Sequence, residues 1–332
     1  MRKKLAMLLA LVVILSLTAC GAGASPAAGS GNAASGGGET DWPTETVTMV
    51  LPYDAGGDTD TYCRQMSLML QEELGVNFVV VNTTGGSGVV AASSVMTAKN
   101  DGYTALFHHT GVMLTQEAAS SNEFSFYDDF DVVATVARDD TYALIAKADS
   151  QWTTLEDMIA WAKANPGQLR YSVTYFGATH AVATLMESAM EIEMNQLDVG
   201  ASTADRLTAF MADQCDVLVV NYMNIDDYVE NGDFVVLGIC ADERPVGLED
   251  FPTLKEQGYD VVQSKIYEVR LPKGTDPAIA EKLSAAIKKV TTSQEYADIL
   301  ATYYAQPYYR DAATTIAEDQ AEVTELKTLF AE

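Results

Sequence analysis

Strand and helix signals alternate along this chain from Thr46 to its end, and that alternation limits the fold more than any other feature. Short β-branched, apolar runs are each followed by a longer run with apolar residues every three or four positions. Strands separated by helices form parallel or mixed sheets with helices packed on their faces. The first strand is read at 46–53 and the first helix at 60–74, where Tyr62, Met66, Leu70 and Leu74 fall at helical spacing. Further strands are expected at 77–82, 103–109, 130–137, 142–147, 169–174, 216–221 and 234–240. Further helices are expected at 89–98, 178–190, 203–213, 276–290 and 312–331. Thr153 reads as the N-cap of one more helix, with Glu156 as its capping-box partner and Asn165-Pro166-Gly167 as its end. With 48% apolar residues, a body of this size can bury the core of one large domain or of two lobes.

In sheets of this kind ligands sit beyond the carboxyl ends of the strands, where loops enter helix N-termini. Two such loops are rich in glycine. One is Tyr53-Asp54-Ala55-Gly56-Gly57-Asp58-Thr59; the other is Thr83-Thr84-Gly85-Gly86-Ser87-Gly88. Glycines let the backbone approach a ligand, and the helix dipole favours negative charge there. A single Gly-Gly reads equally well as a tight turn. Two on successive β-α units point to a carboxylate cradle that needs no lysine or arginine. Neither loop has the spacing of a dinucleotide fingerprint or a P-loop.

The first twenty residues carry a different message. Arg2, Lys3 and Lys4 precede an apolar run from Leu5 to Leu17, which is short for a membrane span of about 20 residues and has the form of a secretory signal. Its ending, Leu17-Thr18-Ala19-Cys20, resembles the bacterial lipoprotein box, which implies lipidation of Cys20. Residues 21–40 are mostly Gly, Ala, Ser and Asn, the composition of a flexible tether. Residues 1–19 are then the signal peptide, 20–40 the lipidated cysteine and tether, and the folded body starts near Asp41. The chain carries a formal charge of −27, which excludes a nucleic-acid partner and adhesion to anionic lipid beyond the anchor. An anionic ligand must therefore be held by local donors against a repulsive overall field. Cys63, Cys215 and Cys240 have no metal spacing, and either a Cys215–Cys240 disulfide or free buried thiols fit them.

Several segments, in order, resemble the substrate-binding proteins of tripartite tricarboxylate transporters, the TctC or Bug family. They are Trp42-Pro43 leading into Val47–Tyr53 with Ala55-Gly56-Gly57 and Asp60, and Asn82 with Gly85-Gly86-Ser87-Gly88. Asp101-Gly102-Tyr103-Thr104, Gly177-Ala178-Thr179-His180, Phe251-Pro252-Thr253-Leu254 and Pro272-Lys273-Gly274-Thr275 follow. The resemblance covers 42–332. It implies a periplasmic-binding-protein-like (type II) Venus flytrap: two α/β lobes closing on a ligand between them. The lobes are expected at 41–140 plus 266–332 and at 141–265. It also implies a small carboxylate ligand, no cofactor, no catalysis, and delivery to a large and a small integral-membrane subunit. By the same resemblance, lobe one contributes 53–59 and 83–88, and lobe two Tyr175, Phe176, Gly177, Ala178, Thr179, Gly200, Ala201 and Ser202. Tyr53, Phe176 and Tyr267 would be aromatic walls. Of the histidine pair ending the third strand, His109 is the candidate cleft donor, and His180 reads as structural.

Three departures from the family pattern bear on the ligand. Asp54 and Asp58 stand where the family has small or apolar residues; they are either bystanders, Asp58 as an N-cap, or partners for a cationic group on the ligand. Glu268 replaces a glycine after the aromatic Tyr267. The 175–179 loop offers Thr179 as its one hydroxyl besides Tyr175. A binding protein for an amino acid or amine, feeding another importer or a sensor kinase, is thus the alternative. An extracytoplasmic hydrolase is the third reading, and it lacks a G-x-S-x-G elbow.

Overall fold

The computed structural model describes residues 40–119, 122–200 and 202–330. The signal segment, Cys20, the tether before residue 40 and Ala201 lie outside these described residues. The first elements are β1 (Val47–Leu51), α1 (Asp58–Leu74), β2 (Phe78–Asn82), α2 (Val89–Met96), β3 (Thr104–His109), α3 (Thr110–Ala119) and β4 (Phe130–Asp139). Then come β5 (Tyr142–Lys147), α4 (Leu155–Ala164), β6 (Leu169–Val173), α5 (Ala178–Met190), β7 (Met194–Asp198), α6 (Thr203–Met211), β8 (Val217–Asn221), α7 (Asp226–Glu230) and β9 (Phe234–Ile239). The chain ends with β10 (Lys265–Pro272), α8 (Pro277–Thr291), α9 (Gln294–Ala301), β11 (Gln306–Pro307) and α10 (Ala312–Leu329).

These strands form two mixed sheets, each the centre of one α/β lobe. The six-stranded sheet has the order β11-β4-β10-β3-β1-β2, and the five-stranded sheet β7-β6-β8-β5-β9. β1 is parallel to β2 and β3, while β10 runs antiparallel between β3 and β4. In the other sheet β6 is parallel to β7 and β8, and β5 runs antiparallel to β8 and β9. The chain leaves the first sheet after Asp139, enters the second at Tyr142, and returns at Lys265.

Burial follows the pleat. On β10, Tyr267, Val269 and Leu271 share one face and join the core of Met49, Phe107, Leu283 and Ile287 under α1 and α8. Glu268 and Arg270 point to the opposite face, toward Phe126 and α10. In the second lobe, α4 and α5 cover one sheet face through Met158, Val182 and Met186; Phe210 of α6 and Ile225 sit on the other.

The helix starts follow capping chemistry. Asp276, Ser293 and Asp311 each accept an amide hydrogen bond as N-caps, and Pro277 occupies the first turn after Asp276. For α4 the cap is Thr154, which accepts from the amide of Asp157 at 3.2 Å, one residue later than the Thr153 and Glu156 expected. Both threonines precede the apolar run, and Thr154 reaches the third helical amide. Cys63, Cys215 and Cys240 are free and buried. Among the described residues no helix is long and apolar enough to cross a membrane, and no three metal-ligating side chains cluster.

Candidate ligand-binding site

Loops at the carboxyl ends of strands from both sheets line a cavity of about 260 Å³. From the first lobe come Tyr53 to Thr59 between β1 and α1, Ser87, His109 at the end of β3, and Val112 of α3. From the second come Tyr142, Thr174, Gly177 to Thr179, Ser202 to Ala204, Arg206, Leu207 and Asn224. Lys265, at the start of the returning strand β10, completes the lining.

The β1–α1 loop is braced from behind. Asp60 accepts from the amide of Gly56 at 3.0 Å, from the Arg64 fork at 2.7 and 2.9 Å, and from Asn82 Nδ2 at 2.9 Å. Asn82 also donates to the carbonyl of Tyr53 at 2.8 Å, tying the loop to the end of β2. The Gly56 amide is therefore engaged within the protein. Gly57 is the N-cap of α1 and brings no side chain, so the first amides of that helix stay unmasked. α5 also starts at a glycine, Gly177, but has no acidic residue in its first turn, whereas that of α1 carries Asp58 and Asp60. α6 differs, because Ser202 and Asp205 close a reciprocal capping box over its N-terminus.

Charge is concentrated at the cavity floor. Asp58 is buried, and its Oδ2 accepts from Lys265 Nζ at 2.5 Å and from the Tyr267 hydroxyl at 2.5 Å. Burial pushes the Asp58 carboxyl up, but the Lys265 ammonium and its hydrogen bonds prevail and hold it below the usual carboxylate range. Burial likewise pulls Lys265 down, yet the Asp58 charge keeps its pKa raised. The Lys265 ammonium also donates to Asn221 Oδ1 and lies 4.7 Å from the centre of the Tyr142 ring. Asn221 in turn donates to Asp139, as does Tyr62, which joins β8 of one lobe to the end of β4 in the other.

Two further groups define the walls. His109 is buried and stacks on Tyr53 at 5.4 Å; burial, then the Lys265 charge, hold its pKa well below the usual imidazole value. It is therefore neutral at physiological pH. His108 is held at about 3 by burial and then by Arg270, and its Nδ1 accepts from the amide of His109 at 2.8 Å. Across the cavity, Arg206 is 5% exposed; it donates through Nη1 to Thr174 Oγ1 and through Nη2 to Thr203 Oγ1, both at 3.2 Å.

A model of the tripartite tricarboxylate transporter family receptor, TctC, matches residues 62–331. The chain belongs to this family of solute-binding receptors. It is 29% identical to a Cupriavidus necator protein described as the UPF0065 protein in the gbd 5′ region, over 86% of this chain and 88% of that one. It is 26% identical to protein BugT of Bordetella pertussis, over 80% and 82%. Among solved structures, the R. palustris protein Rpa4515 with adipate superposes with a TM-score of 0.80 at 26% identity, covering 87% of this chain and 97% of that one. The periplasmic binding protein BugD shares the fold, with a TM-score of 0.79 at 21% identity over 87% and 98%.

In this receptor most residues singled out from the sequence converge on the cavity: Tyr53 to Thr59, Ser87, His109, Gly177, Ala178, Thr179 and Ser202. Others do not line it. Thr83, Gly85, Gly86 and Gly88 shape the loop that presents Ser87; Gly88 has φ +98°, and a Cβ there would fall 2.8 Å from His108 Nε2. Gly200 sits behind the site, where its carbonyl accepts from Thr174 Oγ1 at 3.0 Å. Tyr267 is a core residue beneath Asp58 rather than a wall, because the pleat turns its ring toward Tyr62 and Phe107. Tyr175 and Phe176 are half-exposed and turn away from the cavity to His180, which stacks on Phe330 at 5.7 Å. His180 Nδ1 accepts from the amide of Phe176 at 3.3 Å, the structural hydrogen bond expected of it. Asp54 is exposed at the rim. Sequence reasoning missed Arg206, Lys265, Tyr142, Thr174 and Asn224.

Proposed function

We propose that this receptor captures a small carboxylate outside the cytoplasm and delivers it to the large and small membrane subunits of a tripartite transporter. Its lobes, 41–140 plus 266–332 and 141–265, would close on the solute. Cys20 would carry the lipid anchor and 20–40 the tether. The observation that carries the reading is that two cationic side chains, Arg206 and Lys265, line the cavity of a chain of charge −27. Unmasked helix N-termini at Gly57 and Gly177 add partial positive charge at the same place. The likeness to Rpa4515, whose structure contains adipate, agrees with it.

Reversible binding without chemistry fits the same geometry. A catalytic histidine needs a group to orient it, and His109 Nδ1 has no hydrogen-bond partner among the described residues. The amine reading loses its motive, because Asp58 answers to Lys265 rather than to a ligand cation. The test is a thermal-shift series on the full-length chain with succinate, adipate, hexanoate, amino acids and spermidine, since a ligand bound only by the folded state raises the melting temperature. A shift with carboxylates is expected. A shift with amino acids or spermidine alone overturns the proposal.

A further inference from the structure

The last helix of the chain, α10, is long but has a narrow buried stripe. Of its 18 residues Thr315, Asp319 and Val323 are buried, at i, i+4 and i+8, so an acid stands at the centre of the stripe. Asp319 is 4% exposed and meets Arg270 of β10. Arg270 Nη2 donates to Asp319 Oδ2 at 2.8 Å and to Glu268 Oε2 at 2.7 Å. Two carboxyl groups thus bond one nitrogen of one guanidinium, where Glu268 and Arg270 have no exposed surface.

The neighbouring elements bring no second cation among the described residues. His108, opposite Glu268 on β3, is held at about 3 by burial and then by Arg270. Tyr127, before β4, is kept neutral by burial. Glu117 of α3 and Glu322 and Glu325 of α10 are further acids. Glu268 and Asp319 also stand within hydrogen-bonding reach of each other. An ionised carboxylate can accept but not donate, so that bond requires a proton on one of the two. Glu268 Oε1 is buried and receives no N–H or hydroxyl donor among the described residues, which a full charge tolerates poorly. We propose that Glu268 and Asp319 share one proton beside Arg270, and that this proton makes α10 an alkali-sensitive strap: once it leaves, two buried carboxylates face one guanidinium and the helix loosens from the first lobe. The strap extends to the second lobe, because Phe330 at the end of α10 stacks on His180 at 5.7 Å.

Burial, then the Glu268 charge, raise the Asp319 carboxyl to about 8. A raised carboxyl contributes its full stability below the unfolded value of about 4 and loses it as the pH rises through about 8. Hydrogen exchange on the full-length chain, corrected for the intrinsic effect of pH, reads the strap. Protection of α10 in the wild type should fall by about tenfold to 100-fold between about pH 6 and 9. In Asp319→Asn and Glu268→Gln it should stay nearly constant, because one carboxylate then faces one cation, and in alkali both variants should exceed the wild type. Glu322→Gln, a change outside the pair, should keep most of the fall. Infrared difference spectra at neutral pH should show one protonated carboxyl in the wild type that is missing from Asp319→Asn and from Glu268→Gln. Constant protection of α10 in the wild type overturns the proposal on its own, whether or not the variants fold. An equal fall in Asp319→Asn and Glu268→Gln overturns it too, as does a fall abolished by Glu322→Gln or the lack of that protonated carboxyl.

Discussion

At the scale of single residues, the candidate site leaves some groups unmasked and matches others. Gly57 is the clearest case of the first. A Cβ built there meets nothing within 4 Å and its φ is −85°, so a larger side chain fits the protein itself. Gly57→Val should therefore leave the melting temperature nearly unchanged while shielding the α1 amides from a ligand. A fall in carboxylate affinity of about 100-fold, the loss of two hydrogen bonds to a charged group, is expected by calorimetry. Unchanged affinity would remove this loop from the site. Asp58 is the clearest case of the second, and it answers the question that the sequence left open: its partner is the protein's own lysine. The matched pair and the neutral His109 also fix the pH dependence of binding. Asp58 is held ionised, Lys265 protonated and His109 neutral, so the charge of the cavity is constant across neutral pH. Carboxylate affinity should stay flat between about pH 6 and 8 and weaken below about 5, as the ligand takes up protons. An ordinary histidine at position 109 would instead tighten anion binding as the pH fell through about 6.5. Titrations at three pH values distinguish the two.

At the scale of elements, β10 shows how one strand serves two purposes by parity. Its odd-numbered residues bring Lys265 to the cavity and Tyr267 to the core. Its even-numbered residues build a buried charge cluster against α10: Arg270 bonds Glu268 at 2.7 Å and Asp319 at 2.8 Å. Glu268, which departs from the glycine of the family pattern, thus faces away from the cleft, and its charge is matched by Arg270 two residues along. Arg270→Met would leave two buried carboxylates without their cation. A loss of about 3–5 kcal/mol is expected from chemical denaturation, with α10 loosening first in hydrogen exchange. Parity also explains what the sequence disclosed. Amphipathic helices such as α1 and α8, and the β-branched strands β1 and β8, were legible because one face or a whole run is apolar. α3 was not, because nearly all its residues are buried and it starts directly after His109 with no turn residue between. β7 was not, because Met194–Asp198 is a polar edge strand with no run to read. The glycine loops of the site were legible as backbone chemistry. Arg206 was not, since an arginine on an amphipathic helix reads as a solvent-facing charge until the fold carries α6 to the cleft.

At the scale of the whole molecule, the two lobes touch beside the cavity, and one of their contacts leaves no room for another carbon atom. Gly111, in the first turn of α3, faces Ala178, the first residue of α5 in the other lobe. A Cβ on Gly111 would lie 2.8 Å from the Cβ of Ala178, nearer than two such atoms approach. Neither atom can swing aside, since each is fixed to a helix backbone, so the lobes themselves would have to part. The absence of a side chain at 111 then belongs to this contact rather than to any turn, because its φ is not in the left-handed region. Gly111→Ala should weaken carboxylate binding by about tenfold to 100-fold, the cost of overpacking a close contact expressed as affinity. Stability without ligand should hold or rise slightly, as alanine favours the helix. Removing the opposing methyl offers the decisive control: in the double variant Gly111→Ala with Ala178→Gly the clash disappears and affinity should return. Recovery in that cycle assigns the loss to contact between the lobes. Normal binding in Gly111→Ala alone would mean that the solute is held with the lobes further apart than this structure shows.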